Sequence, residues 1–466
     1  MSKIYSFIKS GKRKITVLQE LVVVTLLFIS ICLIYKGQPR ISYNEGKGWD
    51  GIYYYDMVEQ IQSGSFPLSG KLPFIKRVGV QLLVGYFSNI SGMDIIDSAL
   101  IINLSAIYII VILLVFWLRK FIETPWIRLM MIFGFMMAWH VHLRLAFYNP
   151  VGTDNWGAVW LLAGLLMLNR LRETYNAISS FKFSEVIGFS LIVGIGVFFR
   201  ETNSILAIAP FMILNPVTTT SLSGAMQKSE ISRQFRRLVD TYFRPASLVL
   251  LIPLLVVVLA NKLVSGLIQI NDLDNYSYFS AASKTFYTKS LPEYLLGIFN
   301  AYGPLFVLLP FFRDQYKSFL LQRQELTFLL IISFVLGYVG AGGTERITFM
   351  SGFPILFILL AISVKTIFYT SQRWWLYILL FLQTIAYRFY WNVPDYPNET
   401  NHVPVPVLTL PGDQFPFLYL YSNYGSFLVN TVIFIEYCFL FILTMYILIN
   451  KIQIRLPRLR QNQGKA

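Results

Sequence analysis

Charged side chains are scarce in this chain of 466 residues. Asp, Glu, Lys and Arg together make up 14% of it, and 55% of its residues are hydrophobic, whereas soluble domains carry roughly 25% charged residues. This scarcity excludes an ordinary soluble domain. A chain of this length, divided into apolar helices of about 20 residues, instead indicates one bundle of membrane helices.

Cysteine and histidine are also rare. The two cysteines, Cys32 and Cys438, both lie inside apolar runs, which excludes a disulfide framework and a cysteine-based metal site. His140 and His142 are two residues apart, so they would share a zinc ion only on an extended backbone. The chain lacks the Walker A, HExxH and GxSxG sequences, which argues against the enzyme classes that depend on them.

Basic residues are more plentiful, and the formal net charge is +15. Lys and Arg flank the apolar runs instead of forming one basic face, so the charge indicates membrane topology and no nucleic-acid partner. When alternate connecting segments are assigned to the cytoplasm, starting with the N-terminus, about two-thirds of the 39 Lys and Arg fall on the cytoplasmic side. We therefore expect an integral, multi-pass protein of the bacterial cytoplasmic membrane with both termini in the cytoplasm.

The apolar runs predict an all-α membrane protein, a polytopic helical bundle of about 12 spans within a range of about 11 to 13. The runs cover residues 21–35, 98–118, 126–140, 154–169, 186–199, 204–214, 246–263, 294–311, 326–341, 349–364, 374–390 and 427–449. Several are shorter than the roughly 17 to 25 residues that a free span needs, so they must tilt, extend into their flanks or be broken helices.

The chain is predicted to form one transmembrane domain, residues 1–450, followed by a basic cytoplasmic tail, residues 451–466. Residues 36–97 make up a large first outer loop with short helices. Another outer segment, residues 391–426, is rich in Pro and aromatic residues, which favours an extended covering structure.

Residues 186–214 can be one long tilted helix or two short helices that meet at Arg200. We favour two helices, because one helix would place the basic segment 228–244 outside, against the charge rule. Arg200 and Glu201 interrupt an otherwise apolar stretch, and ionisable residues at membrane depth usually mark a functional site. The second helix, capped by Asn203 or a neighbouring hydroxyl, would favour a phosphate at its N-terminus. The alternative is an internal Arg–Glu pair or a helix end at the surface.

Asp50 stands in the sequence GWDG of the first outer loop and is followed by Tyr54 and Tyr55. Neighbouring glycines allow close approach of a substrate, and the tyrosines offer stacking and hydroxyl groups. An acid in this setting can act as a general base or orient an acceptor hydroxyl. The alternative is a solvated loop whose aromatic residues belong to the interfacial belt.

Four further charged residues lie in predicted outer segments or at their edges. Arg346, in GAGGTERITFMSGFP, enters an apolar helix where it is placed either for an anion or as an interfacial anchor. Arg144 and Asp154 are candidates for lining a polar cavity. Arg77 could meet a lipid phosphate, although contact with lipid headgroups explains it as well.

This arrangement resembles the GT-C superfamily, the multi-spanning glycosyltransferases that take a sugar from a polyprenyl-phosphate carrier. The resemblance rests on three short features: Trp49-Asp50-Gly51 with Tyr54 and Tyr55, Arg200-Glu201 between apolar half-helices, and Arg346 followed by Pro354. The hydropathy profile of the whole chain agrees with it. No one subfamily is matched.

The resemblance implies a catalytic acid in the first outer loop and a lipid-phosphate donor that enters from the bilayer. Asp50 would then deprotonate the acceptor hydroxyl, and Arg200 and Arg346 would hold the phosphate leaving group. A single displacement predicts inversion at the anomeric carbon. Many family members carry two adjacent acids where this chain has Asp50 and Gly51, so a requirement for a divalent metal stays open.

The lipid-linked sugar would be a co-substrate, and no other cofactor is implied. The acceptor, which can be a glycan, a lipid or a protein, and the sugar are not specified by the sequence. An O-antigen-type polymerase or ligase is one alternative, but it would need larger outer loops rich in Arg. A flippase or transporter of lipid-linked oligosaccharides is another, and it would place charges near mid-membrane in pseudo-symmetric halves.

Overall fold

The computed structural model describes residues 15–48, 50–138, 143–214, 245–270, 280, 282–283, 286–287, 291–340, 344–369, 373–387, 389 and 431–452. Within these ranges the protein is all-α apart from one pair of three-residue strands. Some predicted features lie outside the described residues: Trp49, His140 and His142, the basic segment 228–244, the segment 391–426 and most of the tail 451–466.

The described helices and strands, in chain order, are α1 (Val17–Tyr35), α2 (Gly51–Gln62), β1 (Leu68–Gly70), α3 (Val78–Ser91), α4 (Ile95–Arg119), α5 (Pro125–Met137), α6 (Leu143–Tyr148), α7 (Asp154–Ile178), α8 (Phe183–Phe199), α9 (Pro245–Leu248), α10 (Leu251–Leu267), β2 (Ile268–Ile270), α11 (Leu291–Tyr302), α12 (Leu308–Phe311), α13 (Arg313–Gln322), α14 (Gln324–Val339), α15 (Thr344–Phe368), α16 (Arg373–Ala386) and α17 (Thr431–Tyr446). Short 3₁₀ helices cover Phe74–Lys76 and Pro304–Val307, a longer one covers Glu201–Leu214, and a π-helix covers Ile447–Lys451.

Every predicted apolar run overlaps a helix, and some of these helices could span a membrane. By length and composition, three qualify: α1, α4 and the part of α15 from Arg346 to Phe368. The pair α13 and α14, bent by 111° at their junction, would count as a fourth if it forms one span. Among the described residues, length and composition therefore identify fewer spans than the twelve that the sequence predicts.

Apolar side chains cover much of the outer surface of the bundle. Leu18, Leu26 and Leu33 point outward along α1, and Leu259 and Leu263 do so along α10, all of them largely exposed. Contiguous apolar surface of this kind suits contact with lipid rather than with water.

The chain reverses direction at Arg200. α8 ends at Phe199, Arg200 is extended (φ −158°, ψ 125°), and the 3₁₀ helix Glu201–Leu214 then runs back beside α7. Asn203 Nδ2 donates to the carbonyl oxygens of Gly157 (3.1 Å) and Gly196 (3.2 Å), which holds the two arms together. Residues 186–214 are therefore two segments, as we favoured from the charge rule.

The 3₁₀ geometry lengthens the second arm. The helix Glu201–Leu214 has 14 residues, and at about 2.0 Å per residue it reaches roughly 28 Å. An α-helix would need about 19 residues to cover the same distance. Leu206 packs directly on Gly164, where an added Cβ would lie only 2.6 Å from Leu206 Cδ1.

Buried charges tie the helices together at one end of the bundle. Glu20, in the first turn of α1, is fully buried and accepts hydrogen bonds from Arg128 Nε (2.7 Å) and Nη2 (2.6 Å) on α5. Arg119 Nη1, at the end of α4, donates to the same carboxylate at 2.5 Å. Arg128 Nη1 also donates to the backbone oxygens of Ile122 and Glu123. A buried charge that is fully paired in this way fixes the relative position of three helices.

A second cluster at this end surrounds Glu325, which is also fully buried. It accepts from Arg172 Nη1 at 2.5 Å and from Arg323 Nε at 2.6 Å. Arg323 Nη2 in turn donates to Asn169 Oδ1 at 2.8 Å. The cluster therefore joins the end of α7 to the start of α14.

The two strands connect the segment between α2 and α3, which the sequence predicts to be part of an outer loop, to the end of α10. β1 and β2 pair in parallel, with Leu68 opposite Ile268, Ser69 opposite Gln269 and Gly70 opposite Ile270. Residues 68–70 and 268–270 must therefore lie at the same end of the bundle, as the alternating assignment of outer segments requires.

Replacing Glu20 by Gln should destabilise the protein, because it leaves Arg128 and Arg119 without their shared counter-charge. Removing one partner of a buried pair costs about 3–5 kcal/mol. Denaturant titration of the purified protein in detergent measures this loss. The control is Asp97→Asn, since the Arg40–Asp97 pair is roughly half exposed and should contribute at most about 1 kcal/mol. Equal losses in the two variants would contradict the proposed role of Glu20.

The strand pairing predicts a disulfide. In a chain with Cys32 and Cys438 replaced by Ala, Ser69→Cys and Gln269→Cys should cross-link on mild oxidation, because neighbouring strands lie about 4.8 Å apart. Mass spectrometry of the linked peptides measures it. A matched pair, Ser69→Cys with Ser265→Cys, should stay unlinked, and preferential linking of this control would show that the register is wrong.

Candidate functional site

A polar cavity opens at the end of the bundle opposite the Glu20 and Glu325 clusters. Its volume, including the space open to solvent, is about 740 Å³. Five parts of the chain that are distant in sequence line it: the start of α2, Arg77 before α3, Asn103 in α4, the segment 145–155 and the start of α15. Four predicted site residues with charged side chains, Asp50, Arg77, Asp154 and Arg346, lie in this lining together with Tyr54.

Asp50 immediately precedes α2, and its side chain makes no capping hydrogen bond to the helix. The carboxylate therefore remains available to the cavity. Gly48 has a positive φ of 73° and lies against the Asn149 amide, where an added Cβ would be 2.8 Å from Nδ2. A Cβ at Gly51 would lie 3.4 Å from Val151 Cβ and 3.6 Å from Asn149 Oδ1. The two glycines thus allow Asn149 to support the turn that presents Asp50.

Arg77 is held in a fixed position by two partners. Its Nε and Nη2 donate to the two carboxylate oxygens of Glu201 at 3.1 and 2.8 Å, and its Nη1 donates to Tyr54 Oη at 2.8 Å. Burial alone would lower the pKa of Arg77, but Tyr54 and Glu201 outweigh it and raise the pKa well above the usual value. Arg77 is therefore a permanent cation whose charge is balanced by Glu201.

Asp154, the first residue of α7, lies between two other arginines. Its Oδ1 forms an ion pair with Arg200 Nη1, and its Oδ2 lies 3.6 Å from Arg346 Nε. Gly157 makes room for Arg200, since a Cβ at this position would lie 2.9 Å from Arg200 Cβ. One carboxylate thus joins the reversal at Arg200 to the start of α15.

A second, mainly apolar cavity of about 640 Å³ adjoins the polar one. Arg200 lies in its wall, together with Leu161 and Leu206 and with apolar residues of α14 and α15. The two cavities share Met350. Arg200 therefore stands where a polar compartment meets an apolar one.

Sequence reasoning missed an amide network in the wall of the polar cavity. Asn103 is buried and donates through Nδ2 to the carbonyl oxygens of Pro150 (2.7 Å) and Gly152 (2.9 Å). Asn155 Nδ2 donates to Asn103 Oδ1 at 3.1 Å. The signal was present in the sequence, because a lone amide within an apolar run must find polar partners.

Four predicted site residues do not line the polar cavity: Arg200 and Glu201 reach it only through their pairs with Asp154 and Arg77, and Tyr55 and Arg144 lie outside it. Tyr55 is one position along α2 from Tyr54 and points elsewhere, where Lys47 Nζ lies 4.4 Å from its ring centroid. Arg144 is fully buried behind the wall, and its Nη2 donates to Tyr35 Oη (2.9 Å) and the carbonyl oxygen of Phe389 (3.2 Å). Both side chains are engaged in contacts that hold neighbouring segments in place.

Among the described side chains, no group of three or more His, Cys, Asp and Glu lies close enough together to hold a metal ion. The predicted pair His140 and His142 falls outside the described residues. Comparisons with protein-family models, with curated proteins and with solved structures found no match to this chain. The fold and the site thus define a helical protein with membrane-compatible helices and a polar cavity of paired charges.

The contact between Tyr54 and Arg77 predicts a stability difference between adjacent tyrosines. Tyr54→Phe removes the hydroxyl that accepts from Arg77, and a hydrogen bond to a charged group contributes about 1.5–3 kcal/mol. Tyr53→Phe is the matched control, because Tyr53 stacks on Phe74 through its ring, with centroids 4.8 Å apart. Denaturant titration should show a loss for Tyr54→Phe and little change for Tyr53→Phe. The reverse order would contradict the assignment.

Proposed function

We propose that this protein is a multi-pass membrane glycosyltransferase. It transfers a sugar from a polyprenyl-phosphate carrier to an acceptor on the outer face of the membrane, in modification of a cell-envelope glycan or lipid. One observation carries the proposal: Asp50 and Arg346 line one cavity, and Arg200 reaches the same cavity through Asp154. These residues come from three distant parts of the chain.

The two adjoining cavities suit the three parts of such a donor. The polar cavity, with its amides and Asp50, suits a sugar and an acceptor hydroxyl. The apolar cavity suits the first isoprene units of the lipid. Arg200 lies between the two cavities. The phosphate of the donor joins the sugar to the lipid, so it must lie there too, and the planar guanidinium of Arg200 can donate two parallel hydrogen bonds to phosphate oxygens.

The proposed chemistry is a single displacement at the anomeric carbon. The acceptor oxygen forms a bond to this carbon while the bond to the phosphate oxygen breaks, and the electron pair of that bond remains on the polyprenyl phosphate. The Asp50 carboxylate takes the acceptor proton. Arg200 and Arg346 stabilise the negative charge that develops on the leaving group. The product has the inverted configuration.

Contacts between distant segments support the proposed topology of about twelve spans. The ion pairs Arg77–Glu201 and Asp154–Arg200 join segments that the charge rule assigns to the outside. Glu20–Arg128 and Arg172–Glu325 join segments that it assigns to the cytoplasm. In this arrangement the polar cavity faces outward. The shorter apolar helices would cross by tilting, and the segment Glu201–Leu214 by its 3₁₀ extension.

The test is to incubate the purified protein with a panel of polyprenyl-phosphate sugars and to measure sugar transfer or release, with and without divalent cations. Asp50→Asn should lower the rate by about 100- to 10,000-fold, the usual contribution of a general base. Arg200→Ala should lower it by about 100-fold or more, as expected when charge stabilisation at the leaving group is lost. Asp97→Asn, a change of the same type outside the cavity, should leave the rate unchanged.

Full activity in both variants would show that Asp50 is not the general base and that Arg200 does not stabilise the leaving group. If no donor supports transfer but lipid-linked oligosaccharide crosses vesicles that contain the protein, the protein is a transporter and the proposed function is wrong.

A further inference from the structure

The Asp154 carboxylate fills the space between the two arginines that the proposed function assigns to phosphate. It is paired with Arg200 Nη1, and its other oxygen lies 3.6 Å from Arg346 Nε. A carboxylate placed against two guanidinium groups has the charge and the hydrogen-bonding geometry of part of a phosphate group. An arriving phosphate would compete with it for the same donors.

The pairs at the cavity differ in how firmly they are made. Glu201 accepts two hydrogen bonds from Arg77, at 2.8 and 3.1 Å, and a third donor group of the same guanidinium is used by Tyr54. The contact of Asp154 with Arg346 is longer than a hydrogen bond. The side chain of Asp154 is also 22% exposed. Asp154 is therefore free to leave Arg346, whereas Glu201 is fixed.

The position of Asp154 in its helix lowers the cost of its displacement. It is the first residue of α7, a helix of 25 residues, and the side chain of Thr153 does not cap that helix. A carboxylate in the first turn stays in the favourable field of the helix N-terminus when it turns away from an arginine. The first-turn N–H groups also offer it alternative donors.

We propose that Asp154 is an internal counter-ion of the phosphate-binding arginines, displaced from Arg200 and Arg346 when the phosphate of a lipid ligand binds. The proposal rests on the proposed function for the identity of the ligand, a phosphate ester with an apolar tail. Without a ligand, Asp154 neutralises the arginines within the bundle. After transfer, its return to the arginines expels the polyprenyl phosphate.

Binding measurements on the purified protein in detergent test this displacement without any need for turnover. Farnesyl phosphate and inorganic phosphate are the probes, titrated by calorimetry. Asp154→Asn removes the competing charge, so it should bind farnesyl phosphate roughly tenfold more tightly than the unmodified protein, within the 5- to 150-fold range of typical couplings between sites. Tighter binding of inorganic phosphate as well would locate the effect at the anion, and an effect on farnesyl phosphate alone would show that the lipid tail is required.

Two matched variants separate displacement from a general change in charge. Glu201→Gln removes a negative charge of the same size from the partner of Arg77, which lines the cavity, but leaves Asp154 in place, so its affinity should rise less than that of Asp154→Asn. Asp97→Asn, outside the cavity, should bind like the unmodified protein. Unchanged or weaker binding by Asp154→Asn, or an equal gain in Glu201→Gln, would overturn the proposal.

If Asp154→Asn does not remain folded, infrared difference spectroscopy replaces it. The protein is labelled with ¹³C-carboxyl aspartate and carries Asp50→Asn, which removes the other aspartate of the cavity. Adding farnesyl phosphate should shift a labelled carboxylate band as Asp154 leaves Arg200. A spectrum that does not change on saturation would overturn the proposal.

Different results would contradict the glycosyltransferase function and the counter-ion role of Asp154. A tenfold gain in affinity without sugar transfer from any donor would support the counter-ion and reject the glycosyltransferase. Transfer that depends on Asp50, combined with no gain in Asp154→Asn, would support the enzyme and reject the counter-ion.

Discussion

Each buried arginine of this bundle needs an anion or a set of carbonyl oxygens, and this constraint determines how the helices are arranged. The cost of an unpaired charge in an apolar interior is several kcal/mol. Glu20 meets Arg128 at one end, and Asp154 meets Arg200 at the other. α4 has 25 residues and is therefore about 37 Å long, so the two sets of pairs cannot exchange. α7 carries Asp154 at its start and Arg172, paired with Glu325, near its end, so these pairs fix its direction.

The positions of the helices could be read from the sequence, because an apolar run leaves a helix as the main way to satisfy its backbone. The positions at which these helices are interrupted could be predicted only in part. The reversal at Arg200 was signalled by two charges in an apolar stretch, whereas the run 294–311 is broken after Tyr302 with no charge to mark it. Asn203, one of the three residues that the sequence offered as a helix cap, instead donates its amide to the carbonyl oxygens of two neighbouring helices. Such tertiary contacts cannot be predicted from the neighbouring residues in the sequence.

Which residues line the polar cavity was easier to predict than which residues they pair with. Arg200 and Glu201 are adjacent, and a pair between them was the simple alternative to a functional role. In the structure Glu201 pairs with Arg77, 124 residues away, and Arg200 pairs with Asp154. Because the backbone is extended at Arg200, the two side chains leave the chain in different directions. Tyr54 and Tyr55 separate for another reason, because consecutive side chains on a helix diverge by about 100°.

The reversal at Arg200 links the fold to the proposed site. A continuous helix through residues 186–214 would place Arg200 in the middle of an apolar helix. The reversal instead brings it to the end of the bundle, between a polar and an apolar cavity. An arginine suits this boundary, because the aliphatic part of its side chain packs on apolar groups while the N–H groups of its guanidinium donate to several acceptors at once. The break at which the chain changes direction therefore also places Arg200 at the boundary to which the proposed function assigns the donor phosphate.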